Sequence, residues 1–212
     1  MTTPSIAEIL NRASHSEVSG EWDSAAQAYD GAFRQAAREG DLEALLESAT
    51  RLGHCFRQAG DSGAAHDVLL LAATVAARVG DDAHAARALN GIGILLNSVG
   101  DTEAAERTYL EAREHGLRDG YGAVLGEIEQ NLGILDNIRG DLVAALEHYN
   151  TGLAHLRAAG HLRGCARALN NLGILHLSMG RLDEADLSFQ EALAICERGG
   201  DIVTAGAVHI NR

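Results

Sequence analysis

The sequence predicts an all-α fold, built as an α-solenoid of antiparallel helix pairs. Glycine stands at every twentieth position from Gly20 to Gly200, and seven of these ten glycines are followed by Asp or Glu. A glycine lets a helix end in the left-handed conformation, and an acidic residue after it caps the next helix. The spacing therefore predicts helices of about 16–18 residues that are joined by tight turns.

The side-chain pattern repeats at twice the glycine spacing, which groups the helices into pairs. A large apolar residue followed by glycine marks the first helix of each pair, helix A: Leu52-Gly53, Ile92-Gly93, Leu132-Gly133 and Leu172-Gly173. After the next turn, helix B carries small and aromatic residues at spacings of four and three, as in Ala185, Phe189 and Ala192. Units that repeat at a fixed period bury their apolar faces by stacking on their neighbours.

The elements follow in order along a single predicted array, residues 1–212. Ser5 and Glu8 form a capping box that opens the first helix. The first unit is degenerate, with Arg12-Ala13 at the position of the Leu-Gly pair, which suits a terminal cap. The predicted units are 5–40, 41–80, 81–120, 121–160 and 161–200, followed by 201–212 as the start of a further or capping helix.

Two segments depart from the regular pattern. Gly122 and Gly126 make the start of the fourth unit glycine-rich, and we expect local irregularity there. Asp201 is expected to open an eleventh helix that stops at Arg212, before the next Leu-Gly position. We expect the array to continue beyond Arg212, and the alternative is a shortened capping helix.

The pattern resembles the tetratricopeptide repeat over nearly the whole chain. The closest fit is Leu169-Asn-Asn-Leu-Gly-Ile-Leu175, followed by Gly180-Arg-Leu-Asp-Glu-Ala185 and Phe189-Gln-Glu-Ala192. The period is 40 residues rather than about 34, and the usual proline at the repeat end is absent. The long form is similar to repeats of kinesin light chains, spindle-orientation adaptors and bacterial regulators. The resemblance implies a right-handed superhelix whose A helices line the concave face.

Composition excludes several classes of function. All 17 basic residues are arginine, so lysine-dependent phosphate loops and Schiff bases are absent. The formal charge of −13 argues against nucleic acid or an anionic membrane as the main partner. No signal peptide or membrane-length apolar run is present, and three scattered cysteines fit a reducing compartment. We therefore expect a cytoplasmic protein.

No catalytic or metal-binding pattern emerges from the sequence. The phosphate-loop, dinucleotide, nucleophile-elbow and H-E-x-x-H motifs are all missing. His115 and His155 occupy equivalent places in adjacent repeats, whose helices pack about 8–10 Å apart, too far for a shared ion without further ligands. We predict that the protein is not an enzyme, with no catalytic residues, metal site or cofactor.

The predicted binding site is a groove lined by polar and isoleucine rows of successive A helices. Side-chain amides donate and accept hydrogen bonds together, so an Asn/Gln row can bind a ligand backbone, while an isoleucine row offers apolar area. The alternative is that the amides only solvate this face and the isoleucines pack between A helices. The candidate residues are Arg51, His54, Arg87, Asn90, Ile94, Asn97, Gln130, Asn131, Ile134, Asn137, Arg167, Asn170, Asn171 and Ile174.

The resemblance adds to this interpretation, because related long-repeat adaptors contact target peptides through asparagines at these positions. It also excludes one ligand class, since the family's two-lysine carboxylate clamp for chaperone tails cannot exist without lysine. We predict a module that binds a protein or peptide in the groove. The alternatives are a segment that self-associates through its open C-terminal end or its convex face, and the regulatory part of a longer signalling or transcription-regulating protein.

Overall fold

The computed structural model describes residues 4–120 and 122–212, and every secondary-structure element within them is an α-helix. The helices are α1 (Ile6–Val18), α2 (Trp22–Glu39), α3 (Leu42–Gln58), α4 (Ser62–Val79), α5 (Asp82–Ser98), α6 (Thr102–Asp119), α7 (Gly122–Arg139), α8 (Leu142–Ala158), α9 (Leu162–Ser178), α10 (Leu182–Gly199) and α11 (Ile202–Asn211). The helix lengths predicted from the glycine spacing are confirmed for α2 to α10, which have 17 or 18 residues.

The chain divides into two compact units, an N-terminal unit (Met1–His115) and a C-terminal unit (Gly116–Arg212). In the N-terminal unit each helix packs against the next from α1 to α5, and the A helix α3 also contacts the A helices α1 and α5. In the C-terminal unit α7 to α11 pack in the same sequential way, and α9 also contacts α7 and α11. Paired helices with A helices side by side confirm the predicted all-α solenoid class.

The turns follow the predicted chemistry. All ten of the regularly spaced glycines have a positive φ between 66° and 86°, a region that L-residues with a Cβ rarely adopt. Asp41, Asp81 and Asp141 each accept a hydrogen bond from the backbone N–H three residues later, which satisfies a donor at the start of the next helix. The capping box of Ser5 and Glu8 is also confirmed.

The glycine of the Leu-Gly pair makes room for the aromatic residue of helix B. A Cβ on Gly133 would lie 2.6 Å from Cδ1 of Tyr149, and a Cβ on Gly173 would lie 2.7 Å from Cδ1 of Phe189. Both rings are buried in the core of the C-terminal unit. The glycine therefore fixes how closely helix A approaches helix B, because any side chain at that position would displace a buried ring.

The expected irregularity in the fourth unit is wrong for the described residues. α7 begins at Gly122 and continues as an unbroken α-helix to Arg139. Gly126 lies against Gly152 of α8, so that a Cβ on Gly126 would be 2.9 Å from the carbonyl oxygen of Gly152. The glycines allow a close crossing of two helices, and packing at this crossing outweighs the low helix propensity of glycine.

In contrast to the expectation from the sequence, one described helix, α4, is long and apolar enough by length and composition to cross a membrane. One face of this helix packs in the core of the N-terminal unit through Ala65, Leu69 and Ala72. Its composition is therefore that of a repeat helix with a buried alanine-rich face.

Candidate functional site

The A helices of the N-terminal unit are linked by ion pairs on the face where the groove was predicted. We call this set the charged face: Glu17 of α1, Glu47 and Arg51 of α3, and His84 and Arg87 of α5. Arg51 donates from Nε to Glu47 (2.9 Å) and from its terminal nitrogen to Glu17 (3.3 Å). Arg87 donates to the other oxygen of Glu47 at 3.1 Å. Two of the predicted ligand-binding arginines are thus engaged with carboxylates of the chain itself.

Glu47 is the carboxylate that interacts with most of the other groups of the charged face. A hydrogen bond from His84, with further support from Arg51 and Arg87, lowers the pKa of Glu47 to about 2 against the opposing effect of burial. His84 also contacts Asp81, with Nδ1 2.7 Å from the carboxylate. Glu47 is therefore a firmly ionised acceptor that joins α3 to α5.

A second cluster lies beside Glu17 and includes the candidate His54. Tyr29 of α2 donates its hydroxyl to Glu17 at 2.7 Å, and its own burial, followed by that carboxylate, raises the pKa of Tyr29. The ring of Trp22 meets His54 edge-on with centroids 5.7 Å apart. Arg57 lies 2.9 Å from Nδ1 of His54. The single tryptophan of the chain is thus positioned beside the predicted groove.

The remaining candidates of the N-terminal unit differ in exposure. Asn90 is buried in the unit, so little of its amide is presented to a ligand. Ile94 and Asn97 are half-buried and lie one and two turns further along α5. On the part of α5 that follows Arg87 in sequence, these two candidate residues are the ones exposed enough for a ligand to contact.

The A helices of the C-terminal unit are linked by amides instead of charges. We call this set the amide face: Gln130 and Asn131 of α7, Asn170 and Asn171 of α9, and Asn211 of α11. Asn171 donates to Gln130 at 3.3 Å, and Gln130 donates to the backbone carbonyl of Tyr149 at 2.9 Å. Asn211 donates to Asn170 at 3.0 Å. The two bonds between asparagine or glutamine side chains each join residues 41 positions apart, so each links one A helix to the next.

Burial divides the candidates of the C-terminal unit into two kinds. Gln130 is only 7% exposed, whereas Asn131, Asn170 and Asn171 are half-buried. Ile134 and Ile174 are partly buried and pack against the core of the unit. Asn137 is half-buried and Arg167 is exposed. The partly exposed amide and isoleucine side chains form a strip of mixed polar and apolar character on α7 and α9.

Sequence reasoning missed the acidic and histidine members of the charged face as site residues. Glu47 and Arg87 stand 40 residues apart, a full period, so opposite charges at equivalent positions of adjacent repeats were the available signal. His84 follows the helix cap Asp81 by three residues, which places both groups at the same helix start. Among the described residues, no group of three His, Cys, Asp or Glu side chains could hold a metal ion.

Comparison with known proteins bears on the fold. The family model described as tetratricopeptide repeat matches residues 125–198. No curated protein matches the chain by sequence. Among solved structures, BtubC (BKLC) from P. vanneervenii is 23% identical, with a TM-score of 0.70 over 92% of this chain and 81% of that one.

Two Rap proteins have higher structural similarity. A Rap protein complexed with Competence and Sporulation Factor is 14% identical, with a TM-score of 0.83 over 94% of this chain. The Rap conjugation gene regulator of plasmid pLS20, in complex with the Phr* peptide, is 17% identical with a TM-score of 0.83 over 97% of this chain. The chain spans 56% and 57% of the lengths of these two proteins. Residues 125–198 therefore match tetratricopeptide repeats, and the chain has a helical-repeat fold like that of these structures, which confirms the resemblance seen in its sequence.

Proposed function

We propose that the chain is a non-enzymatic protein-interaction module that holds a peptide or helix against the A helices. The observation that carries this proposal is the strip of half-buried amides and isoleucines on α7 and α9. Asn171 donates one hydrogen bond to Gln130, and a side-chain amide has two donor hydrogens and an acceptor oxygen. Capacity for a ligand backbone therefore remains beside the apolar edges of Ile134 and Ile174.

Two observations support this proposal. The strip consists of uncharged side chains on a protein of net charge −13, so it admits peptides without strong repulsion. Two structures of similar fold are complexes with Competence and Sporulation Factor and with the Phr* peptide. The proposal applies to the A-helix face of the C-terminal unit, with Asn131 and Asn171 as backbone-binding residues and Ile134 and Ile174 as apolar contacts.

The test is the double variant Asn131→Ala/Asn171→Ala. A displayed library of random dodecapeptides is first selected against the unmodified protein, and a selected peptide is then titrated by fluorescence anisotropy. We expect the double variant to bind at least about tenfold more weakly, since two amide contacts are lost. The matched control is Asn150→Ala/Gln190→Ala, which removes two exposed amides from the B helices α8 and α10.

Circular dichroism melting of both variants separates loss of binding from loss of folding. Equal affinity for the unmodified protein and the groove variant would disprove this proposal, because the peptide would then bind elsewhere. Equal weakening by the control would disprove it as well.

The three cysteines are free and buried, which supports our proposal of a cytoplasmic setting.

A second candidate function is self-association through α11, favoured by a specific exposure. Ile202, Val203 and Ile210 are 83%, 78% and 86% exposed. In this alternative, two copies bury these apolar faces against each other. The variant Ile210→Glu should then lower the mass measured by light scattering at high protein concentration. A mass that is independent of concentration in the unmodified protein would eliminate this alternative.

The likeness to part of two Rap chains favours a third alternative. In it, the array is the sensing part of a signalling or transcription-regulating protein, and peptide binding to the A helices is the signal it receives. The groove variant tests the binding step that this alternative shares with the proposed function.

A further inference from the structure

The solvent face of the B helix α4 carries an apolar patch that the repeat architecture does not require. Leu70 and Leu71 are 49% and 45% exposed, and Thr74 is exposed one turn further on. The Thr74 hydroxyl donates to the backbone carbonyl of Leu70 at 2.7 Å, so its methyl group is left for packing. Between Asp67 and Arg78 the helix has no charged residue. The exposed residues of this ten-residue run therefore form an uncharged surface on a protein of net charge −13.

The position of Leu71 carries no large apolar residue in the other B helices, where it is occupied by Gly31, Glu111, Thr151 and Glu191. The position of Leu70 carries a leucine again in α6, Leu110, which is 37% exposed. The glycine turns repeat along the whole array, whereas two adjacent exposed leucines occur at these positions in α4 alone among the described B helices. The pair therefore serves a purpose other than the stacking of repeats.

The two charges that bound the patch are complementary under a two-fold rotation. Asp67 and Arg78 lie on the same face, 11 residues apart, which is three helical turns. When two copies of α4 cross in antiparallel orientation about the midpoint between residues 72 and 73, Asp67 of each copy lies opposite Arg78 of the other. Leu71 then lies opposite Thr74, and Leu70 lies opposite Val75. An isologous contact thus pairs large with small side chains and places an ion pair at each end.

Both terminal charges are available for this contact. The Asp67 side chain is 89% exposed, and its neighbour His66 is 3.7 Å away. Arg78 is also exposed, at the last turn of α4. Rim ion pairs of this kind set orientation and partner choice more than affinity.

We propose that α4 is a homodimer contact, in which a second copy of this chain packs its own α4 antiparallel across Leu70, Leu71 and Thr74. The association is weak, because one helix face is small compared with the area of a stable interface, about 1,200–2,000 Å² in total. The contact uses residues of the B helix α4, none of which belongs to the A-helix faces.

Charge reversal at the ends of the patch tests both the contact and its orientation. Sedimentation of the unmodified protein should show a mass that rises from 22.3 kDa towards twice that value as concentration increases from about 5 to about 500 µM. Asp67→Arg alone and Arg78→Asp alone should each weaken dimerisation at least about fivefold, because like charges then meet at both ends. The double variant Asp67→Arg/Arg78→Asp should restore it, and so should an equimolar mixture of the two single variants.

The matched control is Glu147→Arg, which makes the same change of charge at the equivalent exposed position of α8. A further variant, Leu71→Glu, should abolish the dimer, while its counterpart Thr151→Glu should not. Several outcomes would overturn the proposal: a mass of 22.3 kDa at every concentration, a dimer that persists in Leu71→Glu, or a double variant that fails to recover. Flotation of the protein with phosphatidylcholine vesicles, lost in Leu71→Glu, would instead identify a lipid surface as the occupant.

Discussion

The two units join neighbouring A helices with different chemistry and at different positions of the repeat. In the N-terminal unit, carboxylates and guanidinium groups form the links, as in Glu47 with Arg87 at 3.1 Å. In the C-terminal unit, neutral amides form them, as in Asn171 with Gln130 at 3.3 Å. The residues are 40 positions apart in one case and 41 in the other. The same kind of fold can therefore link its A helices through charges or through amides. The kind of link decides how the stability of each unit responds to salt and to pH.

The expected responses follow from exposure and charge. Glu47 and Arg87 are partly exposed, so dissolved ions screen their attraction. Gln130 is buried and uncharged, so salt has little effect on its hydrogen bonds. Substitutions that remove one link at a time should therefore affect the two units differently.

The largest effect is expected for Gln130→Ala. The change removes the bonds to Tyr149 and Asn171 and leaves a cavity at a buried site. We expect a loss of about 2–3 kcal/mol in the free energy of unfolding. Urea titrations followed by circular dichroism should give the same loss in low salt and in about 1 M NaCl. The control Asn150→Ala removes an exposed amide and should change stability by less than about 0.5 kcal/mol.

A smaller, salt-dependent effect is expected for Glu47→Ala. The change leaves Arg51 and Arg87 facing each other without their shared carboxylate. We expect a loss of about 1–2 kcal/mol at low ionic strength and about half of that in about 1 M NaCl. The fluorescence of Trp22 follows the N-terminal unit during urea unfolding. The control Glu111→Ala lies at an exposed position of α6 and should have little effect; a loss that salt does not reduce would contradict a charged link.

The effect of pH on stability through Glu47 is expected to be smaller than the effect of removing the Glu47 side chain. The pKa of Glu47 is about 2 in the folded protein, compared with the ordinary value of 4.5 for a glutamate side chain. Because folding lowers this pKa, the stabilisation is complete above about pH 5 and is lost as the pH falls through 2. Glu47→Gln should therefore be less stable than the unmodified protein by about 1 kcal/mol at pH 7, allowing for solvent screening. Urea unfolding of both proteins should show this difference vanish near pH 2, and a difference that stays constant with pH would contradict the prediction.

The smallest effect is expected for Asn211→Ala in the C-terminal unit. Its amide donates to Asn170 from the last turn of α11, where helix ends fray. We expect a loss of about 0.5 kcal/mol or less, independent of salt. Hydrogen exchange measured by mass spectrometry should show faster exchange in α11 and no change in α7. Exchange that also accelerates in α7 would mean that the amide links act as one cooperative row.

Much of the fold was predictable because it depends on local chemistry. The turn glycines and the Asp caps act within four or five residues of themselves, and their positions indicate every helix boundary to within a residue or two. The cap of α9 is an informative exception, because His161 accepts the bond from the N–H of Gly164 in place of an aspartate. The irregularity expected near Gly126 failed for the opposite reason, since close packing on Gly152 is a property of two helices.

The candidate site was predictable in part. The rows of residues on the A helices follow from the 40-residue register. Glu47 meets Arg87 within one row, whereas Asn170 meets Asn211 at a separation of 41, from one row to the neighbouring row. The partner of each side chain did not follow from the rows. Arg51 could bind a ligand, solvent or a carboxylate of the chain, and the register alone does not decide among them.

The sequence by itself determined the helices, their turns, their pairing and the polar character of the A-helix faces, because each depends on spacing along the chain. Tertiary packing set which polar groups pair with each other. It pairs Arg51 and Arg87 with Glu47, and it buries Gln130 against Tyr149. It also keeps Asn131 and Asn171 half-buried beside the isoleucines, with Asn171 bonded to Gln130. The physical reason is that a hydrogen bond or ion pair requires atoms within about 3 Å, and only the packing of helices distant in sequence establishes such distances.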